Sequence, residues 1–166
     1  SLTIASNKII NFPKTLTKAK KLAHLDLSAN KITHLPSGTE KLKSLKKINL
    51  SDNDITELPE KLFTNISIDE LILNKNRISV LPKEMNKKSS LKALLISHNQ
   101  LSEIPASIGN LKQLELLALA DNKISYFPIE MGNLKNLKTL IISNNPISPN
   151  ELDKLKKLLP NTTIIF

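Results

Sequence analysis

The chain reads as an α/β fold: a curved repeat solenoid with a parallel sheet on its concave side. The convex side is expected to hold short helical or 3₁₀ turns and extended segments, and a C-terminal helix to cap one end. Three observations carry that expectation. Asparagine recurs at positions 7, 30, 53, 76, 99, 122 and 145, always 23 residues apart, an interval that marks one small unit stacked many times. Aliphatic residues keep step with each asparagine. A proline follows at a constant distance in six of the seven units, at 13, 36, 59, 82, 105 and 128.

With the asparagine in column 9, units start at Leu22, Leu45, Ile68, Leu91, Leu114 and Leu137, and an incomplete unit precedes them. Column 4 holds Leu2, Leu25, Ile48, Leu71, Leu94, Leu117 and Leu140, and column 6 holds Ile4, Leu27, Leu50, Leu73, Ile96, Leu119 and Ile142. These aliphatic columns alternate with variable ones, the period of a short strand with one buried face. Strands are therefore expected near 24–26, 47–49, 70–72, 93–95, 116–118 and 139–141. Each unit re-enters in the same direction, so neighbours pair in parallel about 4.8 Å apart. The chain then turns, and Asn7, Asn30, Asn53, Asn76, Asn99, Asn122 and Asn145 are expected to form a structural ladder, because a primary amide offers both donors and an acceptor to turn backbone shut off from water.

Proline in column 15 fixes φ and lacks an N–H, so it ends the pairing and opens the convex return. Apolar residues at columns 18 and 21 (Leu62, Met85, Ile108, Met131; Leu42, Leu111, Leu134) suit a short helical turn packed on the strands. Gly109 and Gly132 share column 19, which implies a small residue or a positive φ there. At the end, Ser148-Pro149-Asn150-Glu151 has the form of a capping box with proline at the first helical position. The helix that follows to about Leu159 places Leu152, Leu155, Leu158 and Leu159 on one face and Asp153, Lys154, Lys156 and Lys157 on the other. A last strand over 162–166 is expected to cover the open edge. The organisation expected is a seven-unit array over 1–148 and a cap over 149–166.

The pattern L-x-x-L-x-L-x-x-N-x-I/L-x-x-L-P resembles the leucine-rich repeat family, and L-P-x-x-I/M-G-N-L-K-x-L around Pro105 and Pro128 resembles its 23-residue subtype. That subtype occurs in bacterial proteins, many from pathogens, and in intracellular scaffolds related to the Ras-binding group. The closing segment from Asn145 to Phe166 resembles the end of bacterial members. The resemblance implies a binding module, and the expected role is a non-enzymatic scaffold holding a protein partner on its concave face.

Composition narrows the classes. No cysteine is present, which excludes disulfide-bonded caps and points to a cytoplasmic or a bacterial secreted or surface setting. No apolar run approaches a bilayer's thickness. The chain starts at column 3 of a unit, so a preceding segment is expected; otherwise Leu2 and Ile4 lie on an uncapped edge strand open to association, although a monomer is the simpler expectation. Histidines 24, 34 and 98 fall in different columns, and three glycines at 38, 109 and 132 build no phosphate loop, so neither a metal, a cofactor nor a catalytic group is indicated.

Function is expected in the columns the fold leaves free. Column 3 reads Ser1, His24, Lys47, Glu70, Ala93, Leu116 and Thr139, and column 5 reads Thr3, Asp26, Asn49, Ile72, Leu95, Ala118 and Ile141. The early strands are polar, whereas Ile72, Ala93, Leu95, Leu116, Ala118 and Ile141 form an apolar patch, the kind of surface that docks a partner. Its rim is expected to be Glu70, Lys75, His98, Asp121 and Thr139. Strand propensity alone is the competing explanation. The formal charge of +9 raises a second possibility, an adhesive or anionic-surface binder, or a recruiting module of a larger protein. On the concave columns, however, five lysines face six carboxylates, and the excess lies on the convex return, spread out and poor in arginine and aromatics. Specific nucleic-acid binding is accordingly not expected.

Overall fold

The computed structural model describes residues 1–65 and 67–166. Eight parallel strands form one open sheet in sequence order: β1 (Leu2–Thr3), β2 (His24–Asp26), β3 (Lys47–Asn49), β4 (Glu70–Ile72), β5 (Ala93–Leu95), β6 (Leu116–Ala118), β7 (Thr139–Ile141) and β8 (Thr163–Ile165). Each strand from β2 to β7 occupies columns 3 to 5, and neighbours are in register 23 residues apart, as in Leu71↔Leu94. The alternation of buried and variable columns sets this register, because a one-residue slip would turn Leu25, Ile48, Leu71, Leu94, Leu117 and Leu140 outward. All six are at most 2% exposed.

The ladder asparagines hold the turns. Asn76 accepts from the amide of Ile55 at 3.0 Å and donates to the carbonyls of Leu50, Leu73 and Asn74 at 2.9, 3.0 and 3.3 Å. Asn99 repeats the arrangement one unit on, accepting from Ile78 and donating to Leu73, Ile96 and Ser97. One side chain thus bridges two units through buried backbone groups that would otherwise be orphaned. The ends of the column differ: Asn7 is exposed and, among the described residues, its side chain bonds only within its own turn, to Ile4 and Ala5, whereas Asn145 is half-buried but keeps the bridge to Ile124 and Leu119.

Column 8, just before the asparagine, adopts left-handed φ in every unit. Ser6, Ala29, Asp52, Lys75, His98, Asp121 and Asn144 lie between +52° and +57°, with no glycine among them. L-residues disfavour this region, and periodicity alone does not disclose it. It persists because the turn is over-determined: His98 donates its N–H to Ala120 and Asn99 donates to Asp121, each in the next unit.

The convex return carries short 3₁₀ turns at Lys14–Lys18, Thr39–Lys41, Leu62–Thr64, Ala106–Asn110 and Ile129–Asn133. In four of them the column-15 proline carbonyl accepts from the amide three residues on, as Pro105 does from Ile108 and Pro128 from Met131, whereas at Thr39–Lys41 the Pro36 carbonyl accepts from the Thr39 hydroxyl and the Gly38 carbonyl from the Lys41 amide. The unit with Met85 departs from the expected turn. Its column 19 is Asn86, whose amide donates to Phe63 of the previous unit while its side chain accepts from Lys88, so local side-chain bonding replaces the 3₁₀ pattern. Gly109 sits where an added Cβ would stand 2.5 Å from the Glu130 carbonyl oxygen, so close approach, not positive φ, demands glycine there. Gly38 alone among the glycines has φ in the left-handed region, at +105°.

The helix α1 (Pro149–Leu158) begins at Ser148, whose hydroxyl accepts from the Glu151 amide at 3.2 Å. The expected box closes only halfway. Glu151 turns its carboxylate to the preceding unit instead, accepting from the Phe127 amide at 2.8 Å, and Lys154 donates to the Phe127 carbonyl at 2.7 Å. Glu151 and Lys154 are paired at 2.7 Å, and the ammonium lies 3.8 Å from the Tyr126 ring centroid. The cap is thereby stitched to the array through the N–H and C=O of one residue, Phe127. Leu155 and Leu159 are buried, and Leu152 and Leu158 pack partly against the same core.

Candidate functional site

Backbone alternation puts columns 3 and 5 on the face opposite the core, and column 7 joins them just past each strand. Two contacts demonstrate the geometry. The Ser28 hydroxyl donates to Asp26 at 2.6 Å, and the Ser51 hydroxyl donates to Asn49 at 2.8 Å; both bonds link column 7 to column 5 on one rung. Asn49 also donates to Asp26 across rungs at 3.3 Å. Burial alone would raise the Asp26 carboxyl, but bonds from the Ser28 hydroxyl and amide and from Asn49, with Lys47 nearby, hold it below the usual carboxylate range. The polar rungs are therefore largely satisfied among themselves.

Farther along, column 5 changes character. Strand register aligns Ile72, Leu95, Ala118 and Ile141 in a single line, with Glu70, Ala93, Leu116 and Thr139 beside them in column 3. Ile72, Ala93, Leu95, Leu116 and Ile141 are half-buried, as residues leaning on their neighbours across a sheet must be. Ala118 departs from the expected exposed patch: it is 5% exposed, because its single methyl lies below the taller side chains on the adjoining rungs. Sequence periodicity also stops short of the line's end. Ile165 on β8 pairs with Ile141 and Thr163 pairs with Thr139, so the apolar line runs one rung past the last repeat. Only the 24-residue step from Ile141 to Ile165, one more than the period, hid it from an alignment on the asparagines.

Charged residues border the line in columns 2, 3 and 8. Lys46 pairs with Asp69 at 3.8 Å, Lys47 with Glu70 at 2.9 Å and His98 with Asp121 at 3.4 Å, while Asn144 donates to Asp121 at 2.9 Å. Lys138 binds Glu115, and that hydrogen bond with the ammonium's charge holds the exposed Glu115 carboxyl below its ordinary value. Each of these contacts joins one column of adjacent units. Among the described residues Lys75 and Lys92 enter no ion pair.

No group of three or more histidine, cysteine or acidic side chains among the described residues is arranged to hold a metal ion, and no helix there is long and apolar enough to cross a membrane. His24, His34 and His98 lie in different columns, His98 alone reaching a carboxylate.

An open parallel solenoid with constant interior columns and a variable concave face defines a repeat-type binding module. Family models confirm the class in detail: the leucine-rich repeat model matches residues 1–55, 20–78, 66–124 and 89–147. The chain belongs to the leucine-rich repeat family, whose members are generally non-enzymatic protein-interaction scaffolds. A leucine-rich repeat protein of Leptospira interrogans is similar at 38% identity and a TM-score of 0.95, covering 99% of this chain and 42% of that one. An internalin of Listeria monocytogenes has 26% identity and a TM-score of 0.80, covering 99% and 46%. A plant peptide hormone receptor, RGFR1 in complex with RGF2, has 27% identity and a TM-score of 0.79, covering 99% and 26%. The chain thus spans less than half the length of these solved chains. No curated protein matches it in sequence.

Proposed function

We propose that this segment is a protein-binding scaffold whose partner docks on the concave face over strands β4 to β7. The observation that carries the reading is the aligned apolar line Ile72, Leu95 and Ile141 with Ala93 and Leu116 beside it, on the sheet face that the fold leaves without a covering layer. Glu70, Lys75, His98, Asp121 and Thr139 form its rim, where charge adds register and encounter rate more than affinity. Strand propensity explains aliphatics in any rung, but it does not explain why rungs β2 and β3 carry Asp26 and Asn49 in the same column. The solved plant receptor is held in complex with its peptide hormone, which supports recognition of a polypeptide by a related array. Partner capture by the wild type and by a Leu95→Glu/Leu116→Glu double variant, with both shown folded by circular dichroism, tests the reading. Loss of the identified partner from the variant is expected; undiminished capture would remove the concave face from consideration.

A further inference from the structure

The positive charge of the chain is collected on one edge of the stack. Columns 20 to 23, the bend that carries the convex return into the next strand, span residues 18–21, 41–44, 64–67, 87–90, 110–113 and 133–136. They hold nine lysines and no carboxylate. The other fifteen lysines and arginines equal the fifteen aspartates and glutamates in number, so this edge accounts for the whole formal charge of +9. Backbone bonding makes the positions equivalent from unit to unit. The amides of Lys20, Lys43, Lys112 and Lys135, all in column 22, donate to the column-20 carbonyls of Lys18, Lys41, Asn110 and Asn133 at 2.9 to 3.0 Å. In the unit that lacks the 3₁₀ turn, Lys87 and Lys88 take the same edge, the Lys88 amide held by the Asn86 side chain at 2.9 Å. All nine lysines are exposed. Among the described residues none of them enters an ion pair, whereas Lys46, Lys47, Lys138 and Lys154 do. The opposite edge, columns 10 to 14, carries both signs, and Arg77 there pairs with Asp54 at 2.6 Å.

We infer that the lysine edge binds a linear sulfated polysaccharide laid along the stack, with successive sulfates meeting lysines of successive units. It is a second surface, independent of the concave face, whose own charges are balanced. Rungs about 4.8 Å apart place Lys20 and Lys135 roughly 24 Å from each other along the stack, a row that suits a chain of repeated charges rather than a single small anion. Columns 20 to 23 contain neither arginine nor an aromatic residue, so the forked contacts and stacking platforms that serve nucleic acid are missing there. Their leucines Leu42, Leu111 and Leu134 are buried, so among the described residues this edge offers a bilayer no large apolar side chain. What it does offer is a series of hydrated point charges, and releasing the counterions of a polyanion turns a row of individually weak pairs into affinity.

The test titrates protein into a fluorescent heparin oligosaccharide. Two variants lose equal charge: Lys43→Gln/Lys112→Gln/Lys135→Gln on the lysine edge and Lys8→Gln/Lys31→Gln/Lys123→Gln on the opposite edge, all six side chains being exposed. Circular dichroism checks that both are folded. The lysine-edge variant is expected to bind at least about tenfold more weakly, with a shallower dependence of log affinity on log salt concentration, while the opposite-edge variant stays within about threefold of wild type. Lys43→Arg/Lys112→Arg/Lys135→Arg keeps the charge and should bind like wild type. Desulfated heparin, single-stranded DNA of similar charge and vesicles containing phosphatidylserine should each bind more weakly than the sulfated chain. Equal losses in the two glutamine variants would reduce the effect to net charge and overturn the inference. So would undiminished binding by the lysine-edge variant, or equal binding of the desulfated chain. Tighter binding of the DNA or of the vesicles would give the edge to another class of polyanion and overturn it as well.

Discussion

Strands β2 and β3 differ from strands β4 to β7 in one respect that the backbone does not share. Both groups have the same register, the same buried column 4 and the same asparagine bridges. In the first group Asp26, Asn49, Ser28 and Ser51 are bonded to one another, so their polar groups are partly committed within the molecule. In the second, Ile72, Leu95, Leu116 and Ile141 have no such commitments. A constant frame therefore carries two surfaces. Recognition and stability are written in separate columns, which is why a solenoid can change what it binds without changing how it folds.

The largest expected effect tests whether the frame is shared. Replacing Asn53 under the polar rungs or Asn99 under the apolar ones by Ala should cost about 1 to 3 kcal/mol each, through stranded buried backbone groups, while Asn7→Ala should change urea stability much less. Markedly unequal costs at 53 and 99 would break the comparison. Next comes the convex side. Gly109→Ala forces a Cβ against the Glu130 carbonyl at 2.5 Å and should cost about 1 to 3 kcal/mol; Gly132→Ala meets first the Leu158 Cδ2 at 3.3 Å, a side-chain end that yields, and should cost less. Thermal unfolding of the two variants checks the order.

The surface difference should show the opposite balance. Leu95→Glu/Leu116→Glu is expected to alter stability by no more than about 1 kcal/mol while removing partner capture, so a large loss of stability would place these side chains in the frame after all. The polar rungs offer a pH signature. Because the folded carboxyl of Asp26 lies below its unfolded value, its stabilisation is present above the unfolded value near pH 4 and fades as pH falls through the folded one. Asp26→Asn should thus be slightly less stable than wild type at neutral pH, by under about 1 kcal/mol for a partly exposed site, and indistinguishable at about pH 2. A difference that persisted in acid would show that packing, not ionisation, distinguishes the residue. Smallest of all, Lys47→Ala should move stability by only a few tenths of a kcal/mol, since the pair with Glu70 is exposed.

Much of the fold was legible because a period of 23 residues repeats the same local instruction. Leucine or isoleucine in columns 4 and 6, asparagine in column 9 and proline in column 15 state where a strand lies, which face is buried and where the return begins. The strands from β2 to β7, the start of α1 and the covering strand at the end all occupy the expected residues. The turn at Met85 was not legible, since Asn86 competes for backbone bonds across a unit boundary. Nor was the left-handed column 8, where Ala29, Lys75 and His98 reveal no local preference for positive φ.

By itself, then, the sequence determined the stacking period, the strand register and the family, because each follows from local alternation and from buried amides that must be satisfied in every unit. Tertiary structure alone decided how neighbouring units treat each other's side chains. It turned Glu151 from its own helix start to the amide of Phe127, set Ala118 below Leu95 and Ile141, and extended the apolar line to Ile165. Those outcomes depend on relative height and reach across rungs a few ångströms apart, which residues 23 positions distant in the chain acquire only once the stack has formed.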